Sequence, residues 1–96
     1  MILREAIGQL DELPDEATLY VEGEPSEWAP ESTTAFGVED LDAEFEVLPP
    51  EADGLTYFLE VLIARDVLSG WESTQARKPT LDEKTDRIIR YARYDA

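Results

Sequence analysis

The sequence predicts an α+β domain: a short N-terminal helix, a small three-stranded antiparallel sheet, and two C-terminal helices packed on one face of it. Three observations carry that prediction. Residues 17 to 21 ("ATLYV") and 33 to 38 ("TTAFGV") have strand composition. Residues 41 to 48 ("LDAEFEVL") alternate apolar with acidic, the mark of a strand with one wet face. From residue 55 onward the apolar positions recur at helical spacing, with a break between Gly70 and Pro79.

Taken in order, Ile2, Leu3, Ala6, Ile7 and Leu10 recur at helical spacing, and the acidic run around Pro14 ends that helix. The "EGEPSEWAPES" stretch after the first strand is too rich in turn formers to continue a ladder. Pro49, Pro50 and Gly54 break the chain before "LTYFLEVLIARDVLSGW", residues 55 to 71. On a helical wheel this segment is apolar nearly all round at its start and amphipathic at its end, with Tyr57, Val61, Ala64, Val67, Leu68 and Trp71 on one face. The spacing predicts a core helix over 56 to 72. A strand over 56 to 63 is the rival, because Tyr57, Leu59, Val61 and Ile63 also alternate; the helix is preferred because no turn signal interrupts the pattern before Gly70. The last helix is predicted from about residue 81 to the C-terminus, opened by a capping box of Thr80 and Glu83. The predicted core is Phe45, Val47, Leu59, Val61, Leu62, Ile63, Leu68 and Ile88.

Ninety-six residues suit one domain, residues 1 to 96, and Leu, Ile, Val and Phe make up 24 of them, enough for a core despite the charge. The N-terminus lacks the pattern of a signal peptide and no apolar run reaches a bilayer span, so a cytoplasmic protein with no membrane partner is expected. The chain has no Cys and no His. Zinc sites and Ser-His or Cys-His catalysis therefore have no ligands or base within one chain, and no cofactor is expected.

The net charge is −15, and it is distributed unevenly. Residues 1 to 54 hold 16 acids and one base, Arg4, whereas residues 55 to 96 hold seven of each. Three readings are open: an acidic face for a basic partner, internal neutralisation by the C-terminal arginines, or a salt-adapted surface.

Glu60 is the candidate acid or base. On the helix predicted over 56 to 72 it shares a face with Ala64, Val67 and Trp71, which would desolvate it; a structural ion pair is the plainer role. Asp40, Asp42, Glu44 and Glu46 project from one strand face at roughly 7 Å intervals. A calcium loop from Asp40 would end on Glu51, but Phe45 stands where the tight turn needs Gly, so solvated charge is the better account and no metal site is assigned. Trp28, set between Pro25 and Pro30, is either an exposed binding anchor or a cover for an open end of the core. Pro14-Asp15 with Asp82-Glu83-Lys84 imitates a nuclease pattern, yet Asp82 and Lys84 open a helix and the net charge opposes a phosphate backbone. Arg87, Arg90, Arg93 and Tyr94 form a stripe better suited to pairing with the acidic half than to nucleic acid.

The pattern YFLEV, VL, Trp71, PT.DEK and I.YA over residues 57 to 94 resembles small acidic bacterial proteins grouped in families of unassigned function. The resemblance implies a bacterial cytosolic origin and no activity. What remains is an acidic protein-binding or inhibitory module, of the immunity-protein or nucleic-acid-mimic sort, docking Asp42, Glu44, Glu46 and Trp28 on a basic partner. The alternatives are a small carboxylate enzyme using Glu60, or a housekeeping domain with a salt-adapted surface, dimeric through an exposed part of the core helix.

Overall fold

The computed structural model describes residues 1 to 38 and 54 to 94. The strand predicted over 41 to 48 lies outside these residues, and with it Phe45, Val47 and the carboxylates of Asp42, Glu44 and Glu46. The elements in chain order are α1 (Leu3–Gly8), β1 (Ala17–Val21), β2 (Thr34–Val38), β3 (Thr56–Glu60), α2 (Val61–Glu72) and α3 (Leu81–Tyr94), with single 3₁₀ turns at Leu10–Glu12 and Pro25–Glu27.

The sheet has the order β2-β1-β3, with β1 antiparallel to both neighbours. Every residue of β1 is buried. Leu19 stands between Phe36 on one side and Leu59 on the other, and this row faces the helices. On the opposite face Tyr20 meets the Tyr57 ring edge-on, with centroids 6.5 Å apart.

The segment 55 to 72 divides where the sequence predicted one helix. Thr56 to Glu60 form a strand, and the helix starts at Val61. The reason lies in β1, whose edge away from β2 needs a hydrogen-bonding partner. A register shift between Leu19 and Tyr20 skips Phe58, so two consecutive residues, Phe58 and Leu59, are both buried. A bulged strand running straight into an amphipathic helix reads on a wheel as a helix apolar on all sides. The slip also misplaces Leu62: it is 51 % exposed and Ile63 half-buried, while Leu59, Val61, Leu68 and Ile88 are core as predicted.

α2 lies against β1, β3 and α3, and α3 lies against α1 as well. Ala6 of α1 and Thr85 of α3 are fully buried, and Thr85 returns its hydroxyl to Leu81 O at 2.8 Å, so it sits in the core without an unmet polar group. The predicted capping box is present: the Glu83 N–H donates to Thr80 Oγ1 at 3.2 Å and the Thr80 N–H to Glu83 Oε1 at 3.1 Å.

Gly70, in the last turns of α2, lacks positive φ, and a Cβ built there meets nothing within 4 Å. Gly70→Ala is therefore expected to stabilise the protein by roughly 0.5 to 1 kcal/mol through helix propensity alone. A urea midpoint that falls would contradict this.

Candidate functional site

Between β1 and β2 the chain makes a long excursion, residues 22 to 33, carrying Glu22, Glu24, Glu27 and Glu31, all exposed. Its conformation is fixed from below. Gly23 takes φ +89°, which a side chain would resist, and its carbonyl accepts the Trp28 Nε1–H at 3.2 Å. Trp28 is 6 % exposed and packs edge-on against Phe58 at 4.8 Å between centroids. It is thus a cover for the core, and the exposed-anchor reading is corrected: the indole is the underside of the loop.

Three further devices hold the excursion. The Arg93 guanidinium donates from Nε to Pro25 O at 2.8 Å and from Nη2 to Trp28 O at 3.1 Å. The Leu3 and Arg4 amides, left without helical partners at the start of α1, donate to Ser32 O and Pro30 O, both at 2.9 Å. The Glu24 and Ala29 amides are taken by Glu27 Oε1 at 3.2 Å and Ser32 Oγ at 2.9 Å. Arg93 spends the donors it brings to this loop on carbonyls, and none of the loop's carboxylates takes part in an ion pair among the described residues.

The same holds across the described residues of the acidic half. Four ion pairs occur among the described residues: Arg4 with Asp82, Arg65 with Asp15, Arg77 with Glu83, and Lys84 with Glu72. Only Asp15 belongs to the acidic half, and Arg4 pairs outward to α3. Glu5, Asp11, Glu12, Glu16, Glu22, Glu24, Glu27 and Glu31 are exposed or half-buried and have no ion pair among the described residues. Among the described residues Arg87, Arg90 and Arg93 form no ion pair with the acidic half.

Arg65 had no assigned role in the sequence, where it merely falls off the apolar face. In the structure it is a clasp. Nε and Nη2 donate to Leu10 O at 3.0 and 2.8 Å, Nη2 also to Leu13 O at 2.6 Å, and Nη1 pairs with Asp15. These carbonyls close the 3₁₀ turn after α1. A sequence signal did exist: an acidic turn around Pro14 leaves helix-end carbonyls that need a donor.

Glu60 ends β3 immediately before α2 and is exposed, with no side-chain hydrogen bond to the helix start. The apolar face supposed to desolvate it begins one residue later. Glu60→Gln is expected to leave stability within about 0.5 kcal/mol of the parent, as for surface substitutions in general. A change in urea midpoint well beyond that would show an unrecognised role. The nuclease-like acids are each engaged by a different cation: Asp15 by Arg65, Asp82 by Arg4 and Glu83 by Arg77. No group of three or more acids is placed to hold a metal ion among the described residues.

The Glu83 carboxylate is moved far below its ordinary value. The Arg77 hydrogen bond and then the Thr80 amide hold it at about 2. A depressed folded-state pKa contributes stability above the unfolded value of 4.5 and loses it as pH falls through about 2. Glu83→Gln should flatten the acid limb of stability between those values, modestly, because the pair is exposed to solvent and salt.

Two other grooves adjoin α3. One, of about 320 Å³, lies under Arg65 and the Lys84–Glu72 pair beside α1. The other, of about 410 Å³, runs between α2 and α3 and is lined by Asp66, Val67, Gly70, Trp71, Thr74, Arg87 and Tyr91. Arg87 makes no ion pair among the described residues, and its Nε is buried without a partner.

Comparison with protein-family models, with curated proteins and with solved structures returned no match for this chain. No helix of the described residues is long and apolar enough to cross a membrane.

Proposed function

We propose that this chain is a protein-binding module of the bacterial cytoplasm that presents a fixed acidic surface to a basic protein, as an inhibitor or immunity-type partner does, without catalysis of its own. One observation carries the reading: the Glu22 to Glu31 excursion is pinned through its backbone by Trp28, Arg93 and the start of α1, while its carboxylates remain exposed and outside any ion pair among the described residues. A surface adapted only to salt has no need of a rigid acidic loop. Preorganisation lowers the entropy lost on binding, and uncompensated charge steers a cationic partner from beyond contact distance. Asp42, Glu44 and Glu46 belong to the same proposal as added negative charge, and nucleic acid is disfavoured by it.

The test uses a partner captured on the protein from its own host extract at low salt and released at high salt. With that pair purified, Glu24→Lys, Glu27→Lys and Glu31→Lys combined should lower the association rate by about tenfold or more at low salt, with little change in dissociation. The loss should shrink as added salt shortens the screening length toward roughly 3 Å at 1 M. Unchanged kinetics in the triple reversal, or capture that salt does not release, overturns the proposal.

A further inference from the structure

The α2–α3 cleft joins features that the acidic loop does not explain. It has two half-buried aromatic walls, Trp71 and Tyr91, and Gly70 opens onto free space. It also holds two opposite charges that do not pair with each other, Arg87 and Asp66. The Arg87 position is the more telling. In a chain with 23 carboxylates it makes no ion pair among the described residues, and part of its guanidinium is buried without an acceptor.

We infer that this cleft binds a small zwitterion with an apolar body, of the class of an α-amino acid with an aromatic or large aliphatic side chain. Its carboxylate meets Arg87, its ammonium Asp66, and its side chain lies between Trp71 and Tyr91. The volume, about 410 Å³, suits an amino-acid-sized guest. A guanidinium accepts a carboxylate by charge-assisted hydrogen bonds that are stronger where water is partly excluded, and aromatic walls favour a flat or branched apolar group. The net charge of the protein repels a simple anion, whereas a zwitterion carries no net charge to be repelled. Gly70 keeps its exposed stretch of the cleft lining clear of side chain.

The experiment is a titration of the intact protein with L-phenylalanine, phenylacetate and phenethylamine. It follows Trp71 through its indole N–H resonance, with Trp28, buried on Phe58, as the internal control. L-phenylalanine should shift the Trp71 signal saturably and leave Trp28 unmoved; phenylacetate and phenethylamine, each lacking one of the two charges, should both bind more weakly. Arg87→Gln should weaken L-phenylalanine by about tenfold or more, the scale of losing a charge-assisted contact, and Asp66→Asn by less. Gly70→Leu, which fills the cleft from an open helix position and leaves Arg87 in place, should abolish the shift. The inference is overturned if L-phenylalanine leaves Trp71 unmoved, if phenethylamine binds as well as the amino acid, or if a folded Arg87→Gln or Gly70→Leu protein binds unchanged. None of these outcomes touches the acidic loop.

Discussion

Trp28→Ala is expected to destabilise the protein by about 3 to 5 kcal/mol, the range for removing a large buried aromatic. The indole is 6 % exposed, stands edge-on to Phe58, and closes the core beneath the acidic excursion. Against a total stability of about 5 to 15 kcal/mol for a domain of this kind, that is a loss of about a fifth or more. For a chain of about 100 residues each kcal/mol moves the thermal midpoint by roughly 4 to 8 °C, so a drop of about 12 °C or more is the expected reading in a calorimeter. Trp28→Phe separates the two contributions. It keeps a ring against Phe58 and loses the Nε1 hydrogen bond to Gly23 O, so part of its cost is about 1 kcal/mol for that bond, with the rest from the smaller ring. The functional consequence is specific to the loop. Amides of residues 22 to 31 should exchange faster in Trp28→Phe than in the parent while those of α3 stay protected, because the bond lost is the one that fixes Gly23. An exposed indole would make all of these substitutions nearly neutral, and a midpoint unchanged in Trp28→Ala would reinstate it.

The class and order of the elements were legible because they rest on local signals. Thr80 and Glu83 announce α3, the strand composition of 17 to 21 announces β1, and the apolar spacing of Leu3, Ala6, Ile7 and Leu10 announces the first helix with its 3₁₀ continuation. The boundary at Val61 was not legible because periodicity cannot separate a bulged strand followed by a helix from one continuous helix. What decides it is the pairing demand of β1, a contact more than 30 residues away in sequence. Glu60 shows the cost of such a slip: one residue of displacement moves it from a supposed apolar helix face to an exposed strand end.

The candidate site was legible in charge and illegible in construction. That 16 acids face one base in residues 1 to 54 follows from the sequence, and so does an excess of negative surface. That the nearby arginine would bind carbonyls instead of carboxylates does not follow, since a guanidinium gains hydrogen bonds from either. Burial tips the choice. The Trp28 carbonyl, part-buried with its indole, must find a donor, and the exposed Pro25 carbonyl lies within reach of the same guanidinium, whereas Glu24 and Glu27 can remain at the surface. The loop is thereby fixed without its charge being consumed.

The same preference of arginine for stranded carbonyls sets the second large effect. Arg65→Met should cost about 2 to 3 kcal/mol, because it leaves the Leu13 carbonyl without a donor and Leu10 O with only the Leu13 amide, at 3.3 Å, at the junction of the N-terminal segment and α2. The Arg65 side chain is 20 % exposed and Asp15 69 % exposed, so the ion pair itself is the lesser part. Asp15→Asn is accordingly expected to cost no more than about 1 kcal/mol, as exposed pairs do. Arg65→Lys retains the charge but replaces a planar fork with a single ammonium, which cannot reproduce the two donations to Leu10 O together with the one to Leu13 O. Lysine should therefore lie much nearer to methionine than to the parent in urea unfolding. Salt distinguishes the two accounts independently. If Asp15 were the main partner, raising ionic strength would erase most of the difference between the parent and the Arg65→Met protein. If the carbonyls are, the difference persists at 1 M salt, where the screening length is about 3 Å, because the acceptors carry no net charge to screen. Equal losses for Asp15→Asn and Arg65→Met would assign the clasp to the ion pair.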